Sequence, residues 1–506
     1  MPSSSSKTAK IVVLKEDVDV QGFAETSVKA ANVYDGATLM ATDAIPEEDT
    51  VQTSQELGFM VANLSASDAK KLESDPNVEA VEDDITVYAL SDVPSDLDSA
   101  LLQVDNEDLE LIEGLDQPEL GPEGFEVTPD ELQAVTSVAP EIDMETELEL
   151  MAMSGEYRRE AGEAQLPVEA QGLPRDLIIK ILKCVAKCAI SSVGSSDASA
   201  LSDEQVAKLL KESGLDGSGG AEAPVAAMRE RVPRGLIQIL APWAWRFSRG
   251  DGVRVAVVDT GIAHRHPDLR VFGGASFVPG VTSWADDQGH GTHVAGTIAA
   301  LANGRGLVGV APRSQLFAVK VLSRNGSGRL SWILNGLTWC RRNRMQVVNL
   351  SLGSRFHTHD PNQFSRAYER AGLALRRTGA FICAAAGNRP EPVGNPARCP
   401  SYMAVSAVDF RRRRASFSSF GPQVEICAPG VGIESTFPPA TFRSLSGTSM
   451  ATPHVAGAAA LVKARHPGWH GDRIRAHLMR TARDLGRPGR DPFFGAGEVN
   501  ALRAVL

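Results

Sequence analysis

Cysteine is scarce in this chain of 506 residues, and none of the six sits in a CxxC pair or a zinc-type spacing. Cys184, Cys188, Cys340, Cys383, Cys399 and Cys427 therefore read as ordinary reduced thiols. Cys184 and Cys188 lie four apart on one face of an expected helix, a spacing that suits packing better than an intrahelical bridge. Long apolar runs are missing. The longest stretches, such as LIIKILKCVAKCAI, are broken by lysines, so no membrane span or membrane partner is expected. The opening MPSSSSKTAKIVVLKED has neither an apolar h-region nor a cleavage motif. No signal peptide is read, and a cytoplasmic location is the expectation, with secretion by another route left open. No internal repeat shows. A basic surplus is missing as well: the net charge of −12 argues against nucleic acid as a partner.

That average hides an asymmetry. Residues 91–170 hold 23 Asp and Glu against two basic residues, Arg158 and Arg159, so everything else is net positive. The length suggests about three domains, and a hydrophobic content of 43% is ample for a large core. After a polar tail at 1–8, residues 9–90 read as a small α/β unit. Lys10–Leu14 and Gly58–Leu64 are strand-like runs. Ser65 caps a short helix, DAKKLES, that stops near Asp75-Pro76, and a strand follows through Val78–Val81. The acidic segment is poor in aromatics, a composition that favours disorder or folding on binding. Helices are expected near 173–213, then a linker, SGLDGSGGAEAP. The partition is thus 1–8, 9–90, an insert at 91–227, and a large globular unit at 228–506.

The chemistry lies in the last piece. VRVAVV at Val253–Val258 is apolar throughout, as a strand buried on both faces of a parallel sheet should be, and ends in Asp259-Thr260-Gly261. Functional groups collect at such carboxyl ends, though a DTG can also be a capped turn. His290 stands between glycines in GHGTHVAG, where other backbone can approach it. A solitary His is more often structural. His290 and His293 could share a metal, yet no HExxH or third ligand follows. Ser449, in GTSMATPHVAGAAAL, opens a helix. It could be a mere cap, or a residue whose developing charge the helix N-terminus favours. Pro453 is expected to be tolerated as a first-turn residue. Phe381–Ala386 is a buried strand leading to Gly387-Asn388, and that Asn either holds a turn or supplies an amide N–H to an oxyanion.

Taken together, in the order Asp, His, Ser with an Asn between the last two, these motifs resemble the subtilisin-like serine proteases, the subtilases. VAVVDTGI, GHGTHVAGTIAAL, VGVAPRSQLFAVKVL, VNLSLGS, AAAGN, ASFSSFGP, SGTSMATPHVAGAAAL and GAGEVNA are similar to the family's signature blocks and span 228–506. The resemblance implies an α/β fold with a central parallel sheet flanked by helices. It implies Asp259, His290 and Ser449 as a catalytic triad, Asn388 as oxyanion donor, and no cofactor for catalysis. A polypeptide substrate would lie as a strand between Asn325–Gly328, including Gly326, Ser327 and Gly328, and Ser351, Leu352 and Gly353. Ala385, Ala386, Gly387 and Asn388 would floor the S1 pocket. Arg389, where subtilases often have an acidic or neutral residue, would favour an acidic P1 side chain or disfavour basic ones, unless it is simply a solvated arginine at the rim. A structural Ca²⁺ is implied at Asp268 and Asn303, with the Arg305 and Leu307 carbonyls and Glu230 nearby.

Residues 9–90 resemble the family's inhibitor-I9 prodomain, a small α+β (ferredoxin-like) unit. It acts as an intramolecular chaperone and inhibitor and leaves its tail in the active site. By that resemblance Val87-Tyr88-Ala89-Leu90 fill S4 to S1, and processing falls between Leu90 and Ser91. The first helix, within 18–50, looks short. A second cut near Ala227–Arg231 is an option. The insert at 91–227 departs from the family. It reads either as a partner-docking or regulatory segment, for instance toward Arg411–Arg414, or as a passive spacer. The leading functional expectation is an autoprocessed serine endopeptidase with limited protein or peptide substrates. The alternatives are a broad degradative protease and a non-catalytic binding module on the same fold.

Overall fold

Residues 7–28, 32–35, 50–90, 230–354 and 363–506 are described by the computed structural model. The insert with its expected helices, Ser91, Cys184 and Cys188 lie outside the described residues. The described residues on either side of the insert pack as one body.

In the N-terminal unit, β1 (Thr8–Leu14) leads to α1 (Val20–Ser27), β2 (Asn32–Asp35), β3 (Thr50–Ser54) and β4 (Phe59–Leu64). Then come α2 (Ala66–Glu73), β5 (Val78–Asp83) and β6 (Thr86–Ala89). The sheet order β2-β3-β4-β1-β5 puts β1 between β4 and β5, antiparallel to both. Without the edge strand β2 this is the ferredoxin-like arrangement expected. As anticipated, Ser65 caps α2: its Oγ accepts from Asp68 N at 3.2 Å. Strands β2 and β3 went unread because NVYD and TVQTS are short and largely polar. The period of two splits β1 cleanly. Val12 and Leu14 face α1 and α2, while Ile11 and Val13 join a core shared with the large unit.

The large unit is built on seven parallel strands. They are β7 (Arg254–Asp259), β8 (Val271–Ser276), β9 (Gln315–Lys320), β11 (Val347–Leu350), β13 (Phe381–Ala385), β14 (Met403–Val408) and β15 (Val424–Pro429), in the order β15-β14-β13-β11-β7-β9-β8. Two short strands, β10 (Ser327–Arg329) and β12 (Leu352–Gly353), lie outside it, as does the hairpin of β16 (Ile433–Phe437) and β17 (Thr441–Leu445). After α3 (Arg234–Gln238) and α4 (Ala241–Ala244), the helices are α5 (His290–Ala299), α6 (Leu330–Arg342), α7 (Arg366–Arg376), α8 (Thr448–Arg465), α9 (Gly471–Thr481) and α10 (Ala501–Val505). Both sheet faces are covered, which is why β7 is apolar along its length. Val255 and Val257 face the core shared with α5 and α8, and Ala256 and Val258 the core shared with α6 and α7.

Helix α8 is buried from Thr448 to Lys463, so its small residues serve packing on every side. Pro453 is its sixth residue, not a first-turn residue as expected. It cannot donate to the Ser449 carbonyl one turn back, and the Ser351 hydroxyl fills that acceptor at 2.9 Å. The described cysteines, Cys340, Cys383, Cys399 and Cys427, are buried free thiols, in keeping with their reading as reduced residues.

Candidate active site

Strand β7 ends at Asp259, whose Oδ1 accepts from its neighbour's amide, Thr260 N, at 2.7 Å and faces His290 Nδ1 at 2.7 Å. Both side chains are fully buried, so the pair is insulated from water. His290 opens α5, and its N–H donates to Gln288 Oε1 at 2.8 Å. Gly289 before it has φ 116° and no room for a Cβ, which would meet the Phe437 ring at 2.2 Å. The metal alternative for His290 and His293 does not hold. His293 Nε2 faces the Ile433 and Arg443 carbonyls at 2.9 and 3.0 Å, and burial pushes its pKa down to about 3, so it is a neutral packing residue. His454 is likewise pushed down to about 4 by burial.

Ser449 is the second residue of α8, which packs along α5. Its Oγ donates to the Ser351 carbonyl at 2.8 Å. Asn388 lies just past the end of β13. Its Oδ1 accepts from both Thr448 N and Thr448 Oγ1 at 2.8 Å. That fixes which way the amide faces, because the acceptor end is already taken. The donor end then points into the cleft, where Asn388 Nδ2 donates to the Leu90 carbonyl at 2.7 Å.

The cleft holds the end of the chain's own N-terminal unit. Strand β6 lies antiparallel between β10 and β12, with Tyr88 opposite both Ser327 and Gly353, Val87 opposite Gly328 and Ala89 opposite Leu352. Ala89 N donates to the Gly326 carbonyl at 2.8 Å and Leu90 N to the Ser351 carbonyl at 3.4 Å. The pairing reaches Arg329 on β10, one residue beyond the expected segment. Val87 is fully buried and Tyr88 is 55% exposed, so alternate side chains point into the protein and away from it. A Cβ on Gly353 would stand 3.0 Å from Leu90 Cδ1, and one on Gly447 would stand 2.5 Å from the Leu90 carbonyl. These glycines leave the space that Leu90 fills. Ala385 and Ala386 are buried at the strand end leading to Gly387 and Asn388, and Arg389 is exposed. Ser419 Oγ donates to the Arg389 carbonyl at 2.7 Å, which holds the turn after Asn388.

Two carboxylates beside the tail escaped the sequence reading. Asp84 accepts from Ser331 N at 2.9 Å and Ser331 Oγ at 2.8 Å, capping α6. Glu82 accepts from Arg366 N at 2.5 Å and Ser365 Oγ at 2.6 Å, capping α7. Burial holds both above the usual carboxylate range. The available signal was the alternation Glu82-x-Asp84, which places both side chains on one face of an extended chain. Around them run Arg341–Glu56 (2.5 Å), Arg342–Asp35 (2.5 Å), Arg370–Glu79 (2.9 Å) and Arg377–Glu16 (2.7 Å).

The expected cation ligands converge on one loop. Glu230 Oε1 accepts from Asn303 N at 2.6 Å and Gly304 N at 2.8 Å. Asp268 accepts from Asn303 Nδ2 at 2.9 Å and Leu307 N at 2.7 Å. Burial, with the Glu230 charge adding to it, pushes the Asp268 carboxyl up to about 6. Among the described residues no group of three or more His, Cys, Asp or Glu surrounds a common point. Three of the arginines in Arg411–Arg414 are engaged within the unit. Arg412 pairs with Glu498 at 2.8 Å, Arg413 with Asp409 at 2.7 Å, and Arg414 donates to the Ser418 carbonyl at 2.6 Å.

Residues 250–497 match the family described as Subtilase family. The chain is 50% identical over 286 residues to "Alkaline protease" of Shouchella clausii, covering 56% of this chain and 72% of that protein. It is 51% identical over 278 residues to "Subtilisin Savinase" of Lederbergia lenta, covering 54% of this chain and 99% of that protein. No described helix is long and apolar enough to cross a membrane, and nothing in these relatives supports the cytoplasmic location read from the N-terminus. Identity of this extent across the unit that brings Asp259 to His290 and Ser449 to Asn388 shows that the chain belongs to the subtilase family and is a serine endopeptidase.

Proposed function

We propose that Asp259, His290 and Ser449 are the catalytic residues and Asn388 the oxyanion donor. On the same reading, residues 9–90 are an inhibitory and folding-assisting propeptide, cut between Leu90 and Ser91. The observation that carries this is the 2.7 Å bond from Asn388 Nδ2 to the Leu90 carbonyl, at the end of a strand laid between two enzyme segments. A substrate in the same register presents its scissile carbonyl to Asn388 and to the N-terminal turn of α8, both of which favour negative charge on that oxygen. Ser449 Oγ gives up its bond to the Ser351 carbonyl, attacks the carbonyl carbon and passes its proton to His290 Nε2. Asp259 holds His290 through Nδ1 and stabilises the imidazolium, which then protonates the leaving amine. Water repeats the sequence on the acyl-enzyme. Asp259→Ala, His290→Ala and Ser449→Ala are each expected to lower kcat on peptide substrates by about 10⁴-fold or more. A variant that keeps wild-type kcat removes that residue from the set.

Recognition through backbone pairing supports a wider range of extended substrates than the limited set expected from the sequence, with Leu90 marking an apolar P1 preference. A structural Ca²⁺ would be held by Asp268, Asn303 and Glu230, an oxygen-only set that suits it. Its charge would relieve the buried Asp268. A thermal midpoint that rises with CaCl₂ in the wild type and not in Asp268→Asn supports the assignment, and equal midpoints count against it. For residues 91–227 the proposal of a docking or spacing segment rests on composition.

A further inference from the structure

One carboxylate outside the Asp–His–Ser set gathers the backbone around it. Asp286 Oδ1 accepts from Thr260 Oγ1 at 2.9 Å, Gln288 N at 3.0 Å and Gly289 N at 2.9 Å. Its Oδ2 accepts from Thr292 N at 2.9 Å and Thr292 Oγ1 at 2.5 Å. Five donors on one side chain is near the capacity of a carboxylate. They come from both elements that carry the reacting pair. Thr260 follows Asp259 at the end of β7, while Gly289 and Thr292 bracket His290 at the start of α5. Two further bonds close the links. Gly291 N donates to Thr260 Oγ1 at 2.9 Å, and Ala263 N donates to Thr292 Oγ1 at 3.0 Å. Asp286 is only partly buried, and these bonds go to Thr260, Gln288, Gly289 and Thr292 rather than to Ser449 or the tail.

We propose that Asp286 is a positioning residue that sets the Asp259–His290 distance by tying the end of β7 to the first turn of α5. This rests on the roles proposed above for Asp259 and His290. The 2.7 Å bond from His290 Nδ1 to Asp259 Oδ1 spans two elements whose register is held by few other bonds, and Asp286 gathers five of them on one side chain. Displacing α5 along β7 breaks several of these charge-assisted bonds at once. Asn at 286 keeps the shape and an acceptor at Oδ1, but its Nδ2 would face the Thr292 N–H, donor against donor, and the Thr292 hydroxyl would have to turn to accept. Asn thus disrupts the Thr292 contacts at Oδ2 and keeps the Thr260, Gln288 and Gly289 bonds at Oδ1, whereas Ala removes all five.

The test uses the full chain. Asp286→Asn and Asp286→Ala are compared with wild type for kcat and KM on peptide substrates and for thermal midpoint. Asp251→Asn, which removes a surface charge paired with Arg313, serves as control. In a Ser449→Ala background, which does not depend on turnover, the low-field proton resonance of the His290–Asp259 hydrogen bond is recorded for each variant. We expect kcat to fall by about 10–100-fold with KM within about twofold, since misplacements of an ångström or less cost up to about 10²-fold. We also expect the low-field resonance to shift or broaden, with Asp251→Asn unchanged in both. Wild-type kcat with an unmoved resonance in Asp286→Asn overturns the proposal. So does a loss confined to thermal midpoint, which makes Asp286 merely structural. Asp259→Ala run alongside separates the levels: full activity there shows that the assignment of the pair itself is at fault.

Discussion

The N-terminal unit touches the protease in two places, and the contacts differ in kind. At the cleft, β6 is held by a backbone ladder to β10 and β12, with one side chain buried and the next exposed. Over α6 and α7, the rest of the unit is held by particular side chains. Glu82 and Asp84 cap the helices, four arginine–carboxylate pairs surround them, and Ile11, Val13 and Phe59 fill the centre. A ladder of this type accepts any extended chain with a suitable anchor, whereas the helix-face contact fits only a partner with those carboxylates. The cleft therefore holds the tail through contacts that any extended chain can make, and the contacts particular to this unit lie outside the cleft.

The largest effect that would sharpen this contrast is on the cleft side. Asn388→Ala should reduce kcat by about 10²–10³ with a small change in KM, a magnitude known from this family and not calculated from these distances. If kcat is unchanged, the bond to the Leu90 carbonyl says nothing about the transition state. Next in size are the caps. Glu82→Ala and Asp84→Ala, made in full-length Ser449→Ala, should each weaken the hold by about 1–2 kcal/mol. Amide hydrogen exchange across β5 and β6 should rise about 5–30-fold, with that of β13 and β14 unchanged. Equal protection in the variants would move the specificity of the hold back to the tail.

Salt and acid then separate the charged groups from one another. The pairs at Arg377–Glu16 and Arg342–Asp35 lie at the surface and are screened by salt, so about 1 M NaCl should raise exchange at β6 only a few-fold. Acid divides them further. Glu16 is lowered by its hydrogen bond to Arg377, so its contribution is present above the ordinary carboxylate range and is lost as pH falls through it. Glu82 and Asp84 are raised by burial, so protonation is easier when the unit is docked, and a fall in pH through the carboxylate range favours docking at these two positions. From pH 7 to about 5 the hold should therefore change little. A steep loss of protection over that span would show that the outer pairs dominate. The smallest effect concerns Arg389, which is exposed beyond Asn388. Arg389→Glu should alter P1 preference among acidic and basic side chains by only a few-fold, because the charge is solvated.

Much of the large unit was legible in the sequence because its physics is local. VRVAVVD and FICAAA are continuous apolar runs, as a doubly covered parallel strand requires; one ends on Asp259 and the other shortly before Asn388. Of the tail, Val87 to Ala89 pair with β10 and β12 and the Leu90 carbonyl meets Asn388, while their filling of S4 to S1 stays part of the proposal. What escaped reading was tertiary in origin. Asp84 caps a helix through Ser331, 247 residues later, and no pattern near Asp84 announces it. Pro453 was read as a first-turn residue because the sequence does not reveal that Ser351 supplies the missing donor. Asp286 stands four residues before His290, yet its value lies in the bond to Thr260, 26 residues upstream. Strand β3 is polar and pairs through its backbone, so it left no hydrophobic period to find.

The central claim is that Leu90 sits in the site as the acyl side of a bond the protein itself cuts. Intact-mass spectrometry of freshly purified wild type and Ser449→Ala tests it most directly. The expected result is a wild-type fragment beginning at Ser91, with the N-terminal piece ending at Leu90, and an uncut Ser449→Ala chain. The same cut in both proteins, or a first wild-type cut elsewhere than after Leu90, would contradict it.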